Sequence, residues 1–593
     1  MKPAFVRVVL IPALIILGCG VTGLQAQAPS VPGEVVKLPP LIVEEKLPPL
    51  HWSYASLPGR EVLSLCDADA TERFMQRDWQ LEQWLHRLLP DRFRVHLAVA
   101  EGQILFNEST GRANAREIVA EMARRQGASV DADGTVTMPG AESTGFGRSV
   151  RRVQVLPNMR LTDRDVVRVF AILTDDASDD FVFAQDRVAF LLARRTPALP
   201  AWFIEGFVKL YERTHFHADE FEFLPVTWTS TELTDSLARN PEQPRVLLPM
   251  DELFTGPPAV KKGDDEDEKI WRAQAALFVR WALADGNEAR REQFWRWLDR
   301  LDQAPAGEPA FRACFGFGYA DARDRLSDYL REAVGEREKR PTQKIGRPPR
   351  VAVRPATDLE IARLRGDWER LQANYVRAHY PELAERYSAQ ARRTLLRAYD
   401  RGGRDPQLLA IMGLLECDED KATAGRTYLE AAARQNTFRP RVGFELARLR
   451  FRESENGDHA HRFTKAETEA ILGPLMDATR QSPPLPEIYA LIEAVWLRSD
   501  LQPGRDDLAA LEEGVRHFPE ASGLVLGAVQ LHVNAGALTE ARELAERGRL
   551  FAPDAKSRER VDQVCRELAA VGDAGNRTPR ANPGPAKTAL QKR

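Results

Sequence analysis

The chain has 593 residues, 43% apolar and 29% charged, and its 83 Lys and Arg against 87 Asp and Glu leave a net charge of −4. That composition belongs to globular proteins and excludes collagen-like, low-complexity and membrane-embedded classes. The near balance of charge argues against a dedicated nucleic-acid binder. Of the five cysteines, Cys19, Cys66, Cys314, Cys417 and Cys565, no two stand in a C-x-x-C spacing. A disulfide scaffold, a zinc ribbon and a thioredoxin-type site are therefore excluded.

Residues 1–28 have a signal-peptide layout. Lys2 and Arg7 precede an apolar run, Val8 to Leu17, and the exit is Ala26-Gln27-Ala28. The run is short for a bilayer core of about 30 Å. Ile16-Leu17-Gly18-Cys19 resembles a bacterial lipobox and makes Cys19 a lipidation candidate. Cleavage, lipidation and an uncleaved anchor stay open. All three place the rest of the chain outside the cytoplasm, in the periplasm or cell envelope, with membrane attachment only through the N terminus. Residues 29–52 read as a Pro-rich linker, with Lys37-Leu38-Pro39-Pro40-Leu41 echoed by Lys46-Leu47-Pro48-Pro49-Leu50.

Residues 53–339 read as mixed α/β. Strands are expected at 60–66, 94–99, 104–106 and 153–156. Helices are expected at 71–89, 163–173, 186–195 and 200–211. Two aromatic-rich helices follow at 269–285 and 291–301, carrying Trp271, Phe278, Trp281, Phe294, Trp295 and Trp297. Gly316-Phe317-Gly318 lacks the strand–helix context of a nucleotide loop, and the acidic run 264–268 reads as a solvated loop.

The stretch 186–211 carries the most chemical information. Its Leu199-Pro200-Ala201-Trp202-Phe203-Ile204-Glu205-Gly206 resembles the peptidase-MA-like, gluzincin-type zinc metallopeptidases. Two downstream segments, 247–254 (LLPMDELF) and 273–279 (AQAALFV), look like further parts of that family's pattern. The resemblance implies an α+β peptidase domain with a His-Glu-x-x-His helix. The i, i+4 imidazoles would grip Zn²⁺, the intervening Glu would take a proton from the bound water, and a later Glu would complete the ligands. Aligned here, that motif falls on Gln185-Asp186-Arg187-Val188-Ala189, so both His are absent and only Glu205 keeps its place. Lys209 stands at i+4 from Glu205 and is expected to pair with it. None of the ten His is spaced i, i+4 from another. The resemblance therefore implies a pseudoenzyme with no catalytic residues, no metal and no cofactor. The alternative is an active zinc peptidase rebuilt around Asp186 and Glu205 with His215 or His217.

Residues 340–358 are rich in Pro, Arg and Lys and read as a second linker. Residues 359–571 show helical periodicity alone, with self-similarity at 34 residues. A unit set at Gln372 places Ala391, Leu395 and Ala398 at positions 20, 24 and 27. The next, from Pro406, places Gly413, Gly425, Leu429 and Ala432 at 8, 20, 24 and 27. A third begins at Pro440 with Ala447 at 8, and an insertion near 453–464 shifts the phase. Pro519 and Pro553 keep the 34-residue spacing, as do Gly514 and Gly548. Small residues at these places let two antiparallel helices approach closely. The pattern resembles the tetratricopeptide repeat, most clearly over 535–553. Residues 572–593 read as a disordered tail. The expected fold is thus an α+β degenerate metallopeptidase-like domain followed by an all-α tetratricopeptide-like superhelix. The expected role is binding a protein or peptide partner through the repeats.

Overall fold

The computed structural model describes residues 51–90, 101–107, 129–130, 135–137, 151–152, 158–173, 183–216, 220–226, 247–256, 266–283, 287–333, 337–341, 348–437, 439–455 and 462–575. The leader, the Pro-rich segment before residue 51 and the expected strands at 94–99 and 153–156 lie outside the described residues. Among those described, no helix is long and apolar enough to cross a membrane.

The described residues open on an antiparallel pair, β1 (Ser53–Leu57) and β2 (Arg60–Ser64). Helix α1 (Ala68–Leu88) follows, capped by Asp67, whose carboxylate accepts the Ala70 N–H at 2.6 Å. It returns the chain to β3 (Glu101–Asn107), parallel to β2. A small antiparallel sheet of β4 (Ser129–Val130), β5 (Thr135–Thr137) and β6 (Arg151–Arg152) intervenes. The hairpin β7 (Asn158–Thr162) and β8 (Val167–Leu173) then closes the main sheet, with β8 parallel to β3.

The helix expected at 163–173 is therefore a turn followed by a strand. Val167 and Val169 are β-branched and alternate with Arg168 along β8, so one face of the strand joins the core under α1.

Side-chain alternation sorts the sheet into two cores. Val62, Leu105, Val167 and Val169 meet Phe74 and Met75 of α1 on one face. Leu63, Ile104, Phe106 and Leu161 point to the other face, and Trp52, expected in a linker, is buried with them. That second face is covered by Leu364, Trp368 and Leu371 of α9 (Asp358–His379), the first helix of the C-terminal half. The approach is close at Gly102, where a Cβ would lie 2.8 Å from Leu364 Cδ2.

The residues between the sheet and α9 are also part of the fold. β11 (Glu338–Pro341) completes a three-stranded sheet with β9 (Thr214–Phe216) and β10 (Glu220–Phe223). β12 (Arg354–Pro355) adds an edge to the main sheet beside β1, and Val351 is buried. The expected linker at 340–358 is thus structured at both ends.

A helical layer is built from α2 (Phe183–Ala193), α3 (Ala201–Glu212), α4 (Met250–Thr255), α5 (Glu266–Leu283), α6 (Glu288–Leu301), α7 (Glu308–Phe315) and α8 (Tyr319–Ala333). One aromatic core fills it. Trp202 stacks on Trp297 at 5.2 Å and meets Phe254 and Phe278 edge-on at 5.2 and 5.6 Å. Gly316 caps α7 at φ 82°, which explains a glycine there without a nucleotide.

The C-terminal half is a stack of helical hairpins. A capping box of Thr357 and Glu360 starts α9, which pairs with α10 (Ala384–Asp400). Then come α11 (Pro406–Asp418) with α12 (Ala422–Ala433), α13 (Pro440–Glu455) with α14 (Lys465–Thr479), α15 (Pro486–Arg498) with α16 (Arg505–His517), and α17 (Ser522–Asn534) with α18 (Leu538–Leu550). Helix α19 (Ala555–Gly575) covers the end and runs into the expected tail.

Candidate functional site

Glu205 and its surroundings are the first candidate. Pro200 begins α3, and helical periodicity turns Trp202, Phe203 and Phe207 into the aromatic core. Gly206 faces α5 so closely that a Cβ would lie 2.5 Å from the Ala275 carbonyl oxygen. The two downstream segments of the resemblance meet here. The buried Gln274 side chain accepts the Leu248 N–H at 2.6 Å and donates to the Leu248 carbonyl at 2.9 Å.

Glu205 is on the rim of this packing, its side chain 30% exposed. Its partner is Arg272 of α5 at 3.5 Å, and Arg272 also holds Glu268 at 2.6 Å. Lys209 instead reaches Glu212 at 2.8 Å, so the expected Glu205–Lys209 pair gives way to a cation from the neighbouring helix. Ala189 rests half-buried against the aromatic core. Gln185 and Asp186 lie on α2, and their side chains are outside the described residues. His215 is exposed on β9, opposite Glu222, while His217 lies outside the described residues. Among the described residues, no group of three His, Cys, Asp or Glu side chains could hold a metal ion.

The second candidate went unseen in the sequence. The β7–β8 turn carries Asp163, Arg164 and Asp165 to the first helices of the hairpins. Asp163 accepts from Arg370 at 2.6 Å and from Arg441. Arg370 also bonds Asp367 at 2.9 Å and Asp418 at 2.8 Å, and Arg441 bonds Asp418 at 2.5 Å. Asp165 receives Arg439 at 3.2 Å and the backbone N–H of Arg441 at 3.0 Å. Arg168 of β8 pairs with Asp367 at 2.8 Å. Apart from Arg164, all of these side chains are at most 8% exposed.

Burial works against the charge on Asp163, but Arg441, Arg370 and Arg439 outweigh it and hold its carboxyl well below the usual carboxylate range. Burial likewise opposes the guanidinium charge of Arg370, and Asp163, Asp367 and Asp418 keep it firmly protonated. The only sequence signal available was the i, i+3 spacing of Asp367 and Arg370.

The halves meet again near the end of the stack. Arg195 clasps Asp302 at 2.9 and 2.5 Å, Arg547 of α18 donates to the Asp302 carbonyl at 2.7 Å, and Thr196 Oγ1 lies 2.9 Å from His517 Nδ1.

The repeat positions sit where close helix packing needs small residues. Gly413 faces Leu429, with a Cβ 2.6 Å from its Cγ, and Gly425 faces Cys417 Sγ at 2.6 Å. Ala391, Leu395 and Ala398 are buried as expected. In the first hairpin, however, the glycine against Leu395 is Gly366, 29 residues upstream, whereas Gly413 and Leu429 are 16 apart. The unit set at Gln372 thus has its second helix in register and its first displaced, because α9 is longer. One half-buried carboxylate interrupts the pattern. Glu493 of α15 stands against Gly527 of α17, and burial raises it to about 7.

No protein-family model and no curated protein matches the chain. Among solved structures, one from the functional characterization of Pseudomonas aeruginosa pilF is similar to part of it. The identity is 14%, the match covers 36% of this chain and 91% of that one, and the TM-score is 0.24. A likeness this slight leaves the assignment to rest on the hairpins themselves: an N-terminal α/β region followed by tetratricopeptide-like helical repeats.

Proposed function

We propose that the protein is an exported, non-catalytic binding or scaffolding component of the cell envelope whose N-terminal half resembles a zinc peptidase that has lost its metal. One observation carries the reading: five successive hairpins whose close contacts fall on Gly366, Gly413 and Gly548. Stacks of this kind present extended surfaces to protein or peptide partners. The pairing of Glu205 with Arg272 supports the non-catalytic part, since a cation of the neighbouring helix stands against the one carboxylate that keeps its place in the resemblance. The charged, apolar and small-residue regions of 1–28 support export, with Cys19 the lipidation candidate. No cofactor and no nucleic acid enter this reading.

The test has two arms on the purified full chain. The first measures zinc content and hydrolysis of unfolded casein with and without chelator. Hydrolysis that a chelator, Glu205→Gln, Asp186→Asn and either His215→Ala or His217→Ala each abolish would establish the zinc peptidase rebuilt on those residues. The second cross-links the chain in envelope extracts. A specific protein partner whose cross-links fall on α9–α19 is expected. Cross-links confined to the N-terminal half would refute the repeats as the binding surface.

A further inference from the structure

The turn between β7 and β8 is held closed by its own backbone, with the Asp163 N–H donating to the Val166 carbonyl at 2.8 Å. It presents its carboxylates two residues apart, and the helical half receives them residue by residue. Asp163 meets Arg370 of the first hairpin and Arg441 of the third. Asp165 meets Arg439 and the Arg441 N–H at the start of α13. Arg164, between them, lies 4.8 Å above the Phe444 ring and 3.6 Å from Glu487 of the fourth hairpin. The second hairpin supplies Asp418, which braces Arg370 and Arg441. Three consecutive turn residues thus contact three hairpins.

The charges match. Without the N-terminal half, this cluster retains Arg370, Arg439, Arg441 and Arg448 against Asp367, Asp418 and Glu445, an excess of one positive charge. The turn and β8 bring to it Asp163, Asp165 and Arg168, a net of one negative charge, while the turn's Arg164 faces Glu487 at its exposed rim. Forked guanidinium groups favour planar carboxylates, and here they face them in a water-excluded site.

We propose that the first helices of the hairpins form a receptor for a tight Asp-x-Asp turn, and that the chain's own residues 163–165 are its resident ligand. The two halves are then binding partners whether or not the chain joins them. An incoming acidic turn can dock at this receptor only by displacing the resident one. The idea builds on the repeats as a binding module, but its test involves this chain alone, so failure to find an external partner leaves it standing.

The experiment replaces residues 342–347 with a site for a specific protease, cleaves the folded full chain, and measures how tightly the two pieces hold each other. The wild-type pieces should remain together through gel filtration. Asp163→Asn with Asp165→Asn should weaken their association at least about 100-fold, as expected when buried charge partners are removed. Arg164→Ala should weaken it less than about tenfold, because that contact is partly exposed. Wild-type pieces that separate on cleavage, or a double variant within threefold of wild type, overturn the proposal. If the double variant does not fold before cleavage, Arg441→Lys decides. It keeps the charge, loses the fork to Asp163 and Asp418, and should weaken association about tenfold; an unchanged affinity refutes the receptor.

Discussion

Gly206→Ala places a methyl group against α5. The new Cβ would lie 2.5 Å from the Ala275 oxygen and 2.7 Å from its carbonyl carbon, about 0.9 Å short of ordinary 3.4 Å contact. These are backbone atoms of a helix, so no rotamer change relieves the clash and α3 must move from α5. Trp202, Phe203 and Phe207 move with it out of a filled aromatic core. Overpacking of this sort costs about 1–3 kcal/mol. Alanine's helix propensity returns about 0.8–1 kcal/mol. With a backbone obstacle the upper part of the first range applies, so a net loss of about 1–2 kcal/mol is expected. Gly523→Ala is the control. It lies in the first turn of α17 with nothing within 4 Å of its Cβ. It should gain about 0.4–1 kcal/mol. Urea unfolding followed by tryptophan fluorescence reads both, through Trp202 and Trp297 beside α3 and through Trp496 in the core that α17 shares. A Gly206→Ala protein as stable as wild type would refute the α3–α5 contact.

Ala391→Trp, at a position with no exposure between α9 and α10, should lower stability by about 1–3 kcal/mol or more and depress the melting temperature; an unchanged melt would mean the hairpin register is wrong. Two carboxylates should give pH effects of opposite sign. Asp163 is held below its unfolded value of about 3.9, so its contribution is present above that pH and lost as acid approaches the lower folded value. Asp163→Asn should blunt this acid limb of an unfolding titration. Glu493 is raised to about 7, so its contribution is present below its unfolded value of about 4.3 and declines as pH rises towards about 7. Glu493→Gln should flatten stability across that window, and an unaltered slope refutes its burial. Finally, Gln185→His, Asp186→Glu and Ala189→His together should create zinc affinity measurable by calorimetry. Adding Arg272→Ala should strengthen it by freeing Glu205, and adding Lys209→Glu should not weaken it. A folded variant that stays metal-free would break the alignment of α2 with the peptidase helix.

Helices α3, α5 and α6 were legible because aromatic residues repeat on one face and Pro200 marks a start. The second helices of the repeats were legible because Gly425, Ala391 and Ala398 have a packing reason to be small. Strand β8 was not. Asp163 and Asp165 read as a helix start, and the following apolar run fits either period until β3 is known to lie beside it. Arg272 was invisible as the partner of Glu205 because the pair is 67 residues apart and the nearer Lys209 competed for the assignment. The Asp163 contacts to Arg370 and Arg441 span 207 and 278 residues, beyond any local pattern. The sheet likewise gave no sign that its second face belonged to α9.

Those separations set an order on folding. The sheet is synthesised first, but Leu63, Ile104 and Phe106 have no cover until Leu364, Trp368 and Leu371 arrive. Asp163 waits longer still for Arg441. At about 5–20 residues per second, the intervening 278 residues take roughly 14–56 s to make. Contacts of such range also form slowly in a complete chain. Through that interval the second face of the sheet is open and the turn's carboxylates lack their arginines, although the aromatic core around Trp202 has all its residues. If the chain is exported as proposed, that delay keeps one face of its sheet open while it threads a narrow channel, and the face closes only when the late helices have followed it through.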